Sequence, residues 1–349
     1  MTALPTTAAQ RVAPRPLFVA GALAIVYVVW GSTYLAIRVM VVDMPALLSA
    51  GARFVLAGAL LAAVLVGRSG VRRLAASRAQ LLGCATLGLL LPVLGNGLVT
   101  VAEKLGASSG LAALMVASVP LWVMVFRAVT GDPPGVVTVT GVLLGFGGLV
   151  WLIAASGLEG SLPLLAAVLL VVAPLCWSLG SWSQPRLALP RDPFVTTTYE
   201  MLFGGVFLLA AGWAAGERLG SVSSYALSSW LAWGYLVVFG SLVAFTAYVW
   251  LLNAAPVSLV ATYAYVNPVV AVFLGWLVLA EPLTAPIVLG GAVVVAAVAV
   301  VVSAERRPRR RLIGRSPRHD TLGPVAPRPD GSERVTALST DGPAPPAGR

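Results

Sequence analysis

Apolar residues along this chain come in runs of about twenty, divided by short polar stretches. A bilayer core about 30 Å thick takes about 20 apolar residues per helix, and ten runs fit that length. They are Leu17 to Ile37, Pro45 to Val66, Leu81 to Ala102, Ala107 to Phe126, Val136 to Ala155, Leu162 to Trp182, Phe194 to Ala215, Trp230 to Leu252, Val257 to Ala280 and Leu283 to Ser303. The linkers collect turn residues and charges, as in Gly131-Asp132-Pro133-Pro134 and Pro190-Arg191-Asp192-Pro193. The pattern predicts an all-α integral membrane protein with ten transmembrane helices. Arg11 and Arg15 precede the first run as they would a signal peptide. That run is too long for a signal core, lacks an Ala-x-Ala-like exit and is followed by nine more.

Composition agrees and removes whole classes of chemistry. The 349 residues are 58% hydrophobic and 10% charged, with a mean hydropathy of +0.92, where a globular domain carries about 25% charge. A soluble monomer is excluded. Cys84 and Cys176 lie inside apolar runs, so neither a disulfide framework nor a Cys-ligated metal site is expected. The single histidine, His319, sits in a polar tail, which removes most metal-hydrolase and Ser-His schemes. No metal and no other cofactor is expected. The net charge of +10 suggests nucleic acid until it is located. Much of the excess falls between Glu305 and Arg318, where it reads as a juxtamembrane cluster beside anionic lipid, with no nucleic-acid partner.

Cations at the helix ends give an orientation. With the N-terminus inside, the inner face receives Arg11, Arg15, Arg68, Arg72, Arg73, Arg78, Arg127, Arg186, Arg191 and Arg306 to Arg311, and the outer face only Arg38, Lys104 and Arg218. An even number of spans puts both termini in the cytoplasm, and the location expected is the cell (inner) membrane. The organisation is an N-terminal segment 1–16, helices 1–5 over 17–155, helices 6–10 over 162–303, and a basic tail 304–349 rich in Arg, Pro, Gly and Ser that is expected to be disordered.

The chain also repeats itself. When 95–148 is laid on 243–291, Val119-Pro120 falls on Asn267-Pro268 and, after a one-residue shift, Asp132-Pro133 on Glu281-Pro282 and Gly141 on Gly290; Trp30 matches Trp177. Five helices per copy is an odd number, so the second copy enters the membrane inverted. That is a recurrent plan of secondary transporters, with a site near the midplane between the repeats.

The fragments that carry the repeat also carry a resemblance. Trp30-Gly31-Ser32-Thr33-Tyr34-Leu35-Ala36-Ile37-Arg38, Ala52-Arg53-Phe54, Ala102-Glu103-Lys104 and Val119-Pro120-Leu121-Trp122 stand in the first half. Trp177-Ser178-Leu179-Gly180-Ser181, Glu200-Met201-Leu202, Thr262-Tyr263-Ala264-Tyr265-Val266-Asn267-Pro268 and Glu281-Pro282-Leu283 stand in the second. In order and spacing they resemble the EamA family of the drug/metabolite transporter superfamily, and its YedA-like inner-membrane members in particular, over about residues 18–303. The resemblance implies two inverted five-helix EamA repeats, cytoplasmic termini, a central cavity, and export of small metabolites, amino acids or drug-like compounds. The long tail after Arg306 departs from the family's short ending.

Ionisable groups inside spans are costly and therefore few. Arg53 and Glu200 are the clear ones, 147 positions apart and so repeat equivalents. They are read as gating or coupling charges. The alternatives are that Arg53 snorkels to the interface and that Glu200 caps a helix end. Glu200 is the candidate proton sensor if export runs on a proton gradient, because burial favours the neutral form of a carboxylate. Glu103 and Lys104 read as a solvated boundary at the outer end of helix 3, with an outer gate as the alternative. Glu281-Pro282 reads as a helix stop, and Arg38 and Asp43 as interfacial anchors.

Pro120 and Pro268 are expected to be paired kinks flanking the cavity, and Asn267 to offer its amide to substrate or to carbonyls that proline frees. Trp30, Tyr34, Asn96, Trp177, Tyr248, Tyr263 and Asn267 are the cavity candidates. Several are aromatics near span centres rather than in interfacial belts, and Trp30 with Tyr34, like Tyr263 with Asn267, share a helix face. Such a pocket suits a neutral, zwitterionic or cationic amphiphile. Ordinary bundle packing is the alternative for each ring. The expected partners are a small-molecule substrate, lipid and, where transport is coupled, protons. A membrane-embedded enzyme would need His, Asp, Glu or Cys clustered at one depth, and a sensor or scaffold would normally add a soluble output domain. An alternating-access transporter is the reading preferred.

Overall fold

The computed structural model describes residues 16–131, 134–158, 162–255, 260 and 262–306. The chain forms one unit of residues 1–308 and a second of residues 309–349. The second unit, and the disorder expected of the tail, lie outside the described residues. So do the signal-like Arg11 and Arg15, Asp132-Pro133 and the start of the ninth run at Val257.

Among the described residues the structure is helical, without strands. Its main helices are α1 (Pro16–Met40), α2 (Ala46–Ser69), α3 (Arg78–Lys104), α4 (Ser109–Val129), α5 (Val136–Leu158), α6 (Leu164–Arg186), α7 (Pro193–Ala214), α8 (Leu227–Leu252), α9 (Tyr263–Leu279) and α10 (Ala285–Arg306). Seven of them, α1–α4 and α6–α8, are long and apolar enough to cross a membrane, and α5, α9 and α10 carry shorter apolar stretches. The described part of α9, 17 residues, spans about 26 Å at 1.5 Å per residue.

Several spans are not regular α-helix. Wide π-type turns occupy Val26–Trp30 in α1, Leu89–Gly97 in α3 and Leu236–Phe245 in α8. The segments in α3 and α8 begin 147 positions apart, the same offset that lays Trp30 on Trp177. Pro92 lies inside the α3 segment, where its missing N–H interrupts the regular hydrogen-bond ladder. In α4 the helix stops at Val116 and restarts at Val119. Pro120 stands in the first turn of the restart, where an absent N–H costs nothing. Pro268 lies within the continuous α9. The two prolines thus have different local settings.

Helices pair with their repeat counterparts, α2 with α7, α4 with α9 and α5 with α10. The remaining contacts mirror each other: α1 packs on α8 and α9, as α6 packs on α3 and α4. The pairs run antiparallel. Along α2 and α7, Leu48 meets Gly212, Gly51 meets Gly205, and Gly58 meets Met201 and Leu202. Along α5 and α10, Gly141 meets Val301 and Gly148 meets Val294. A Cβ on Gly51 would stand 2.9 Å from the Gly205 carbonyl oxygen, and one on Gly205 2.9 Å from that of Gly51. Only glycine permits this approach, the small-residue contact by which helices associate when water does not drive them together.

Polar clasps hold the two ends of the bundle. At one end Arg73 forms an ion pair with Asp192 at 2.9 Å, Gln80 donates to the Leu189 carbonyl at 3.3 Å and Tyr199 to that of Leu74 at 2.6 Å. Asp192 also accepts from the Phe194 N–H, capping α7. At the other end the Glu217 carboxylate accepts from the Leu47 and Leu48 N–H groups at 3.0 and 2.8 Å, capping α2 from the far end of α7. Glu281 likewise caps α4, accepting from the Ser109 N–H and hydroxyl, both at 2.9 Å, and from the Gly110 N–H at 3.3 Å. The expected helix stop is there too, with Ala280 at φ 50° ending α9. Its acid secures a second helix as well.

Candidate functional site

A cavity opens among α1, α2, α3, α4, α6, α8 and α9, so both halves of the sequence contribute walls. Trp30, Tyr34, Arg53, Asn96, Trp177, Tyr263 and Asn267 line it. Centres of water-sized molecules can occupy about 70 Å³ of the space, several times the 10–15 Å³ or so that one water needs. Tyr248 stands behind the lining, its ring 4.8 Å from Trp30 and 5.7 Å from Tyr263 between centroids. Glu200, Pro120 and Pro268 are not part of the lining.

The two repeat-equivalent tryptophans meet edge to face, with centroids 5.8 Å apart, in the arrangement aromatic quadrupoles favour. Each lies against the π segment of a helix from the other half. Trp30 donates its indole N–H to the Gly240 carbonyl at 3.2 Å. The Trp177 ring covers Gly95, where a Cβ would lie 2.6 Å from its Cε3. The irregular turns and the rings therefore belong together: a π turn exposes a carbonyl or opens a flat patch, and an indole fills it.

Asn267 acts at the seam between α1 and α9. In the orientation that satisfies its donors, its amide gives N–H to the Tyr263 and Tyr27 carbonyls at 3.3 and 3.1 Å. The Tyr27 carbonyl belongs to the π segment of α1. The seam between α6 and α4 is closed by Ser178, which donates to the Val119 carbonyl at 3.0 Å and to that of Pro174 at 2.6 Å. Val119 is the residue laid on Asn267 by the repeat.

Among the described residues Arg53, Glu103 and Glu200 are acidic or basic side chains that lie deeply buried. Arg53, 3% exposed, projects from α2 into the cavity, donating through Nη2 to Asn96 Oδ1 at 2.6 Å and standing 4.3 Å from the Phe54 ring centroid. It does not reach the interface as a snorkelling cation would. Glu200 is 2% exposed, and its Oε1 has no hydrogen-bond partner among the described residues. Glu103 corrects the sequence reading. Instead of a solvated boundary it is fully buried, with both carboxylate oxygens unpartnered among the described residues. Helix α3 continues past the predicted end at Ala102 to Lys104. Arg38 lies over it, donating to the Glu103 backbone carbonyl at 2.5 Å, and Tyr34, Glu281 and Arg38 are within electrostatic range of its carboxylate. Lys104 folds back onto the end of α1, donating to the Val41 and Val42 carbonyls. Asp43 accepts from the Ala226 N–H at 2.6 Å and from the Ser229 hydroxyl. The hydroxyl chiefly, then the amide, holds Asp43 below the usual carboxylate range.

Thr33, Phe54, Ser241 and Phe245, which the sequence does not mark as cavity residues, also line it. Phe245 packs on Trp30 and Trp177 at 6.2 and 6.3 Å. It and Ser241 sit in a uniformly apolar run that offers no periodic mark of an inner face. Among the described residues no cluster of three or more His, Cys, Asp or Glu is positioned to hold a metal ion.

Paired apolar helices around a shared cavity define a multi-pass membrane bundle with an internal pocket. The model of the EamA-like transporter family matches the chain twice, over residues 17–154 and 164–303, and the chain belongs to that family. It is similar to the inner membrane transporter YedA of Escherichia coli K12, 42% identical over 260 residues that cover 74% of this chain and 82% of the relative. The transporter YvbV of Bacillus subtilis 168 is 27% identical over 271 residues, 77% of this chain and 86% of that one. A crystal structure at 21% identity superposes with a TM-score of 0.59 over 83% of this chain and 98% of that chain, a likeness of fold.

Proposed function

We propose that this chain is a secondary active exporter of small organic molecules, working by alternating access in an inner membrane. One observation carries the reading: the cavity draws its walls from both repeats, with the equivalent Trp30 and Trp177 in contact across it. Rocking one repeat against the other changes which end of such a cavity is open. In this reading the chain has ten spans, five in 17–155 and five in the inverted copy 162–303, with segment 1–16 and tail 304–349 in the cytoplasm. The antiparallel pairing of counterpart helices supports the inversion. Arg68, Arg72, Arg73, Arg78, Arg127, Arg186 and Arg191 gather at the Arg73 end, which supports that end as cytoplasmic. The relative named an inner membrane transporter supports the location.

Arg53, Asn96 and the cavity rings are the substrate-facing groups, and the π segments of α3 and α8 the flexible points. Glu200 is the candidate for proton coupling, supported by its burial within α7 and by an Oε1 without a hydrogen-bond partner among the described residues. The test uses purified chain in sealed vesicles with an imposed pH gradient and labelled organic solutes. Gradient-dependent movement of a solute is expected, as is loss of the gradient dependence in Glu200→Gln. Full coupling in that variant removes Glu200 from the role, and movement of no solute removes the transport reading.

A further inference from the structure

The cavity has an uncompensated cation in its wall. Arg53 is 97% buried, which follows from its 3% exposure, and a guanidinium offers five N–H donors in a fixed fork. Its hydrogen bond among the described residues goes from Nη2 to Asn96, and its Nε has no partner there. Among the described residues no carboxylate pairs with it: the ion pair there is Arg73 with Asp192, at the end of the bundle. Glu103 and Glu200 are buried but lie outside the cavity lining. Arginine stays charged at physiological pH, and a buried charge without a counter-charge is strongly unfavourable. The Phe54 ring and one amide oxygen meet only part of that need.

We infer that the cavity takes a small organic monocarboxylate with a flat apolar body and no ammonium group, its carboxylate on the free N–H groups of Arg53. This deepens the transporter reading and rests on it for the identity of the cavity as a substrate site. The guanidinium fork matches a carboxylate in two parallel hydrogen bonds. Next to it, Trp30, Tyr34, Trp177, Phe245 and Tyr263 supply apolar and ring surface for the rest of the molecule. A polyanion finds one cation in the lining, and the ammonium of an amino acid finds no acid there. The cationic and zwitterionic amphiphiles that the aromatic residues alone suggest are thus disfavoured by Arg53. A charged hydrogen bond of this kind is worth about 1.5 to 3 kcal/mol, or roughly 10- to 100-fold in affinity.

The experiment is calorimetric titration of the full chain in detergent with phenylacetate, phenylacetamide and 2-phenylethylamine. Phenylacetate is expected to bind at least about tenfold more tightly than either of the others. Arg53→Gln is expected to bring phenylacetate and phenylacetamide level, and Arg53→Lys to keep part of the preference. If Arg53→Gln does not fold, the order of the three probes on the unaltered chain decides alone. Equal binding of acid and amide, preference for the amine, or no binding of phenylacetate overturns the inference. Binding in detergent needs no transport, so the two readings fail separately. If phenylacetate binds through Arg53 yet never crosses sealed vesicles, the exporter reading falls. If other solutes are exported while the acid is not bound, the substrate class falls.

Discussion

The Trp30 indole N–H reaches across from the first half of the chain to the Gly240 carbonyl of α8, 3.2 Å away. The Tyr248 and Tyr263 rings pack against the same indole at 4.8 and 5.4 Å between centroids. The hydrogen bond and the ring contacts can be separated. Trp30→Phe keeps an aromatic ring and loses the donor, at an expected cost of about 0.5–1.5 kcal/mol. Trp30→Ala removes the ring as well and is expected to cost about 3–5 kcal/mol. Unfolding midpoints in detergent rank the two, and equal losses contradict the assignment.

Gly95 has no room for a methyl group, since a Cβ would lie 2.6 Å from the Trp177 ring, itself packed against Trp30 and Phe245. Gly95→Ala is expected to destabilise by about 1–3 kcal/mol, the usual cost of overpacking. Gly147, with nothing within 4 Å of its own Cβ position, is the control. Gly147→Ala is expected to leave the midpoint unchanged or raise it, because alanine is the better helix former.

Glu217 holds two backbone donors at the start of α2. Glu217→Ala leaves both without that partner and is expected to lower stability by about 0.5–2 kcal/mol, the range for a lost cap. Glu217→Gln keeps one acceptor oxygen and is expected to lose less. Hydrogen exchange of the Leu47 and Leu48 amides locates the effect, which should be confined to the first turn of α2.

The Arg73–Asp192 pair is 30% exposed on each side, so its expected coupling is only about 0–1 kcal/mol and fades with added salt. Asp192 has a second task as the cap of α7. Asp192→Asn, which can still cap, should therefore cost less than Asp192→Ala. A double-mutant cycle with Arg73→Gln at low and high salt isolates the ionic part.

Asp43 titrates below the ordinary carboxylate range because the Ser229 hydroxyl and the Ala226 N–H favour its charged form. A pKa lowered by folding contributes stability that is complete above the unfolded value, about 3.9, and is lost as pH falls through the folded value. Ser229→Ala removes the larger cause, so Asp43 should titrate at higher pH, its contribution to stability should shrink, and the acid-side loss should be smaller and complete at a higher pH. Carbon NMR of the labelled carboxyl group reads this directly, and an unmoved titration contradicts it.

The helices were legible because lipid leaves few options: a long apolar run between charged linkers has to be a helix, and α1 to α3 were anticipated to within a few residues. The repeat was legible from prolines and tryptophans, which are rare enough to align. Two kinds of feature were not. The π turns in α1 and α8 carry no proline and look like any apolar sequence, since they arise from the fit of one helix to the next. The acids at the Asp43 end were harder still. Glu103, Glu217 and Glu281 all stand near helix termini and read alike along the chain. Yet Glu103 is sealed inside, while Glu217 and Glu281 cap helix starts 169 to 172 positions away from them. Which fate each meets depends on a distant segment folding over it. At the cavity, Arg53, Asn96 and all the candidate rings but Tyr248 stand in the lining, whereas Phe245 and Ser241, in a run without periodicity, carry no mark of an inner face.

Where Gly51 and Gly205 touch, the halves of the molecule meet backbone to backbone, with the Leu209 and Val55 side chains closing over the contact. So close an approach gathers dispersion attraction along the whole seam between α2 and α7. A bulkier residue at either glycine would act as a wedge that pries the two helices apart, at a place outside the cavity lining.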